Sequence, residues 1–313
     1  MRNLHIPGRS NVLAQNGLAA TSHPLSSLEA VSILKKGGNA IDAAIAASAV
    51  QAVVEPNATS IGGDCFALIS LKGKKPVAVN GSGIAPQKAN ISFFEDRGID
   101  KISTTSPHSV TIPGAVHAWY TMHQKFGSLD FEELFLNAEN YARNGFPIHE
   151  QLQQTLKNYY QSGKTFPTTD EIFCPNGIVP DVGDRIVNID AANTLKKLCL
   201  AEKNGRKTSR ISGLEAATDA FYRGEIAETI IDFIQKNPVE DISGRSFKGM
   251  LDFEDFSEWN ATIEEPESID FRGLDVFKCP SWTQGPTFLQ HLAILDTFDL
   301  EKIGHNSEEY LHV

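Results

Sequence analysis

The chain has 313 residues, 41% hydrophobic and 21% charged, an ordinary globular composition long enough to bury a large core. Its formal charge of -11 argues against a nucleic-acid or anionic-membrane surface, either of which needs clustered Lys and Arg. The opening MRNLHIPGRSNVLAQNG lacks the apolar core of a secretory leader and nowhere do eighteen apolar residues run together, so a cytoplasmic, non-membrane protein is expected.

In chain order, GNAIDAAIAASAVQAVV from Gly38 to Val54 predicts a helix with Asn39 as N-cap and Asp42 three residues on. Its sides are small almost all round, so it should be buried, and Glu55-Pro56 ends it. After Ile61-Gly62-Gly63-Asp64 come the strand-like FALISL, a turn at Gly73-Lys74-Lys75 and a second strand, PVAVN, which together predict an antiparallel hairpin. NGSGIAP, residues 80–86, follows that second strand, and its two glycines read locally as turn residues that tolerate positive φ.

Farther on, Pro113-Gly114 predicts a turn before a helix over Ala115–Phe126, and a helix over Phe131–Asn144 stops at Gly145. Lys203–Arg210, the most basic stretch, reads as an exposed loop. Ala216–Gln235 is helical with a break at Arg223-Gly224, and Gln290–Phe298 is helical again. Without regular βαβ alternation, helices and short strands favour a layered sheet-and-helix architecture.

Several chemistries lack their residues. There is no HExxH, GxSxG or Walker A run, and IGGD precedes a strand where a phosphate loop would open a helix. His117 and His123 are separated by about 240° around a helix and do not share a face. Cys65, Cys174, Cys199 and Cys279 are far apart, which reads as free thiols; no metal and no cofactor are expected.

The stretch GLAATSHPLSSLEAVSILKKGGNAIDAAIAASAVQAVVEPNATSIGGDCFALI, residues 17–69, closely resembles the start of the gamma-glutamyltransferase (gamma-glutamyltranspeptidase) family. SVTIPGAVHAWYTMHQKFGSLDFEELFLNAENYARNGFPI, DAFYRGEIAETI, FRGLDVFKCPSWTQGPTFLQHLAIL and HNSEEYLHV continue the resemblance in the family's order, from about Val12 onward. The resemblance implies an α+β fold of the N-terminal-nucleophile hydrolase type, an αββα sandwich, here incomplete. Residues 1–313 would then be a single domain, the large-subunit portion of a precursor that cuts itself before a threonine.

That threonine attacks a gamma-glutamyl or related amide, with its own α-amine as base. In the family its Thr-Thr-His-like motif lies beyond the segment matched by Leu311-His312-Val313, so this chain alone is expected to be inactive, with no catalytic residue of its own. Thr104-Thr105 and Thr168-Thr169 read as ordinary loop threonines. The implied partners are a small amide substrate and the nucleophile-bearing C-terminal portion, with no nucleic acid and no membrane.

Residues 80–86 stand where gamma-glutamyl-specific members usually carry DFRETAP, whose arginine grips the substrate's α-carboxylate through two parallel hydrogen bonds. Aligned on Ala85-Pro86, the arginine position is Ser82, and NGSGIAP is similar to the cephalosporin-acylase-like branch. Ser82, with Asn80 beside it, is thus the implied substrate-binding pair. Gly62-Gly63, Pro113-Gly114 and Gln284-Gly285-Pro286 read as structural, and Arg223 and Asp64 as either buried partners or surface residues. The alternative to an enzyme is a non-catalytic binding or scaffold protein retaining half the fold; a third possibility is a subunit completed by a separate chain.

Overall fold

The computed structural model describes residues 11–163 and 166–313; the leader reading of residues 1–10 lies outside them. No described helix is long and apolar enough to cross a membrane. The chain divides into two compact units, each contributed by two stretches of sequence: residues up to Ser60 with His123–Ala217, and Ile61–Met122 with Thr218–Val313.

The first unit is helical. His23 caps the Pro24–Lys35 helix, its Nδ1 accepting from the Leu25 N–H at 3.1 Å. Asn39 caps Ala40–Val54: its Oδ1 accepts from the N–H groups of Ile41 and Asp42, and Asp42 Oδ2 accepts from the Asn39 N–H at 3.0 Å. That reciprocal capping box is the one the sequence predicts. Ala46, Ala49, Ile45, Val50 and Val54 are wholly buried, and the helix packs against Pro24–Lys35 and Leu136–Asn144.

The helix predicted over 131–144 is divided. Phe131–Leu134 forms a 3-10 turn and Leu136–Asn144 the α-helix, ended by Gly145 at φ +84°. Asp130 makes no side-chain cap, so the first N–H groups close through tighter bonds, Glu133 to Asp130 and Phe135 to Glu132.

The basic stretch Lys203–Arg210 is not a loop throughout. The Ile189–Gly205 helix runs into it and the Arg210–Tyr222 helix starts at its end. A Cβ on Gly205 would lie 2.5 Å from the Ser212 carbonyl, and one on Gly213 2.9 Å from the Glu202 carbonyl. These glycines let the two helices touch. Arg206 meets Asp130, Glu132 and Glu202, and burial raises the Glu202 carboxyl above its usual range.

In the second unit, Cys65–Ile69 pairs antiparallel with Val77–Gly81, Phe66 opposite Asn80, and the connection turns at Gly73 with φ +74°. A third strand, Thr262–Glu264, pairs on the other side of Val77–Gly81, with Thr262 opposite Asn80. Val77–Gly81 is therefore the central strand, and Cys65–Ile69 and Thr262–Glu264 are the two edges of this three-stranded sheet. The Glu267–Phe271 and Leu274–Lys278 hairpin turns through Arg272 and Gly273, both at positive φ, as a two-residue hairpin loop demands.

The predicted break at Arg223-Gly224 separates Arg210–Tyr222 from Glu225–Lys236, with Gly224 as N-cap. The last long helix is Gly285–Leu295, beginning before Gln290 because Pro286 suits a first turn, where no N–H is needed. Thr168 and Thr169 sit in the Pro167–Phe173 helix instead of a loop.

Candidate functional site

The glycines of NGSGIAP do not serve positive φ; neither Gly81 nor Gly83 has it. They permit close backbone approach. A Cβ on Gly83 would stand 1.6 Å from the Ile112 carbonyl oxygen, and one on Gly81 2.5 Å from the Cys65 carbonyl and 2.6 Å from Ala118 Cβ. From the facing segment, a Cβ on Gly114 would lie 1.9 Å from the Gly81 carbonyl. Ile112 N–H donates to Ile84 at 3.1 Å, and the Gly114 and Ala115 N–H groups both donate to Gly63 at 2.9 Å. Residues 80–84 are thereby laid against the Ile112–Ala115 segment.

Asp64 is exposed and accepts the Gly83 N–H at 3.0 Å. Beyond Pro86, the Gln87 N–H donates to buried Asp255 at 2.9 Å and Lys88 pairs with Asp252 at 2.8 Å. The segment is tied down on both sides of Ser82.

Asn80 bridges two groups. Its Oδ1 accepts the Ser82 N–H at 3.0 Å, a local turn closed by a side chain, and its Nδ2 donates to Glu264 Oε1 at 3.1 Å. Glu264 also accepts from the Thr262 hydroxyl and, at 2.8 Å, from Trp282 Nε1. These donors, Thr262 first, then Trp282 and Asn80, hold the Glu264 carboxyl below the usual glutamate range. The Ser82 hydroxyl has no hydrogen-bond partner among the described residues, and the residue is half-buried. Phe66, whose ring meets Trp282 at 5.2 Å, also lines a cavity of about 390 Å³ with Leu68, Gln284, Phe288 and His291.

Other chemistry-bearing residues are structural. His117 Nδ1 accepts the Ala261 N–H at 3.2 Å, leaving Nε2 to donate to Asn260 Oδ1 at 2.9 Å. Burial lowers its proton affinity. Tyr222, also buried, donates to the Pro113 carbonyl at 2.6 Å and accepts the His117 N–H at 3.1 Å, which fixes the Pro113-Gly114 bend. Thr105 accepts the Ile242 N–H at 3.0 Å, and Arg223 spans Asp219 and the Ser257 carbonyl.

All four cysteines are free; burial pushes Cys65 up to about 11 and Cys199 to about 12. Among the described residues no group of three His, Cys, Asp or Glu could hold a metal ion. Glu264 and Trp282 are the site residues that sequence reasoning missed. Glu264 is 184 positions from the Asn80 it orients, and no local pattern announces that pairing.

The gamma-glutamyltranspeptidase family profile matches residues 26–313. The glutathione hydrolase-like YwrD proenzyme of Bacillus subtilis (strain 168) is 35% identical over 311 residues, 97% of this chain and 53% of that protein. The glutathione hydrolase proenzyme of Escherichia coli (strain K12) is 31% identical over 309 residues, 96% of this chain and 49% of that protein. The chain thus spans about half the length of the curated relatives it matches.

Among solved structures, Helicobacter pylori gamma-glutamyltranspeptidase superimposes with a TM-score of 0.81 at 28% identity, covering 97% of this chain and 81% of that one. Cephalosporin acylase from Bacillus halodurans gives 0.80 at 33% identity, covering 95% and 52%. The mixed helix-and-sheet arrangement described above is therefore part of the fold these enzymes share. With the profile covering nearly all of the sequence, the chain belongs to the gamma-glutamyltranspeptidase family.

Proposed function

We propose that the protein is an amide hydrolase and acyl transferase of the gamma-glutamyl type, in which this chain builds a wall of the acyl pocket. In this reading the nucleophile is an N-terminal threonine outside this chain, freed by self-cleavage. The observation that carries the proposal is the family match over residues 26–313. Relatives named as proenzymes support the cleavage step.

The threonine hydroxyl would attack the amide carbonyl while its α-amine takes the proton, and the amine product leaves with that proton. Water or an acceptor amine then releases the acyl group. This chain's contribution is the Asn80–Gly83 backbone, fixed by glycine contacts, and the Ser82 hydroxyl, which is available to a ligand. The rest of the precursor would add to the sheet along the Cys65–Ile69 edge, where Phe66 and Leu68 are 46% and 42% exposed.

Ser82 also sets the substrate. A hydroxyl in place of a guanidinium forfeits a charge-assisted contact to an α-carboxylate, ~1.5–3 kcal/mol or about ten- to hundredfold in affinity. The favoured acyl group is accordingly one that does not rely on that carboxylate.

The test is a comparison of gamma-glutamyl anilide with gamma-aminobutyryl anilide, the same acyl chain without the carboxylate, using the full-length protein. The expected preference for the first is below about tenfold in kcat/KM, and Ser82→Arg should raise it by about tenfold or more. A full-length protein that neither cleaves itself nor turns over either amide overturns the proposal.

A further inference from the structure

The second unit contains a cavity unlike the rest of this acidic chain. Its volume is about 520 Å³, and no carboxylate occurs among its lining side chains. Lys88, Arg97 and Lys248 stand around it, and Phe93, Phe247 and His108 supply flat walls.

These cations differ in how far they are committed elsewhere. Lys88 pairs with Asp252 at 2.8 Å. Arg97 lies 3.8 Å over the Phe93 ring and donates to the Phe93 carbonyl at 3.0 Å. Arg245, behind the wall, stacks 5.0 Å over Phe247 and donates to the carbonyls of Arg97 and Gly98 at 2.8 and 3.2 Å. Lys248 is exposed and has no ion pair or hydrogen bond with any described residue.

His108 is the second, independent observation. It is only 7% exposed, and its ring packs against Phe93, Phe94 and Phe247 with centroids 5.5, 5.9 and 4.6 Å away. Neither ring nitrogen has a hydrogen-bond partner among the described residues, although polar groups buried this deeply are normally bonded. His108 lines the cavity, which brings its unbonded ring beside any guest there. Burial, then Arg97, lowers the proton affinity of the ring, so it presents one N–H donor and one bare nitrogen.

We propose that this cavity binds a small organic anion with a flat apolar body, an aryl carboxylate. Lys248 and Arg97 neutralise the carboxylate, the His108 N–H donates to it, and the ring lies between Phe93 and Phe247. The site shares no residue with the Asn80–Ser82–Glu264 cluster and stands whether or not the amide-cleaving reading holds.

The experiment titrates the full-length protein with naphthoate, followed by ligand fluorescence, beside naphthylmethanol as the neutral counterpart. Expected are saturable one-to-one binding of naphthoate and binding of the alcohol at least about tenfold weaker. Lys248→Gln, at an exposed position that should not disturb folding, weakens naphthoate about tenfold while amide turnover is unchanged. His108→Phe keeps the ring packing and weakens binding severalfold. Absent saturation, equal affinity for acid and alcohol, or unaltered binding in Lys248→Gln overturns the proposal.

Discussion

Two carboxylate clusters, a buried one in the first unit and a half-buried one in the second, are built from the same parts and end differently. Asp42 is wholly buried and accepts from the Asn39 N–H, the Ser128 N–H and the Ser128 hydroxyl. Beside it, His123 donates through Nε2 to the Leu129 carbonyl at 2.9 Å, while the Arg210 guanidinium donates to the His123 and Gly127 carbonyls and reaches His123 Nδ1 at 3.3 Å. Each of these groups has a partner inside the protein. Glu264 is likewise surrounded by donors, but the chain of contacts runs through Asn80 to the Ser82 N–H, and the Ser82 hydroxyl itself has no partner among the described residues. The first arrangement is closed on itself; the second leaves one hydroxyl beside it without an internal partner.

Substitutions can break or sharpen this contrast. The largest expected loss comes from Asp42→Ala, which leaves three donors without their acceptor beside a fully buried position and should lower stability by about 4 kcal/mol, read from urea midpoints. Gly83→Ala should lose about 3 kcal/mol, because its Cβ meets a backbone carbonyl instead of a side chain that could swing away. Glu264→Gln should lose only about 1 kcal/mol, as the amide still accepts one bond but faces another donor with its NH₂. Ser82→Ala should fall within about 0.5 kcal/mol of the parent, since no internal bond is lost.

Acid should act on the two clusters in different windows. Burial, then Arg210, holds His123 below the ordinary imidazole value of 6.5. Below 6.5 the unfolded chain takes up a proton that the native state refuses, so stability is full above that pH and declines as pH falls toward the lower native value. His117 and His23, also lowered chiefly by burial, add to the same decline. Glu264, held below 4.5, contributes its full stabilisation above that pH and loses it as pH falls through the depressed native value. Urea midpoints followed across the acid range should therefore show Glu264→Gln flattening only the limb below 4.5, while His123→Gln reduces the slope that begins near 6.5.

What was legible in the sequence was local. Asn39 and Asp42 are three positions apart, so their capping box could be read directly, as could the Gly73 turn and the helix break at Gly224. Gly81 and Gly83 stand out in the sequence, but positive φ is not their reason, because the carbonyl that excludes a side chain at Gly83 belongs to Ile112. Lys203–Arg210 misleads for a related cause: apart from Glu202, one helical turn before Arg206, the partners of Arg206 and Arg210 come from the 123–132 stretch, which composition does not reveal. The resemblance to the family supplied the position of Ser82, but the support of Asn80 by Glu264 and Trp282 required the third strand to be in place.

The thiols described above have a practical corollary. Cys174 and Cys199 fall in one unit, Cys65 and Cys279 in the other, and burial raises the proton affinity of all four. Only the deprotonated sulfur attacks an alkylating reagent, so a native sample at neutral pH should label sluggishly. Mass shifts on each cysteine peptide along a denaturant series would then time the opening of either half, making the molecule its own two-channel clock.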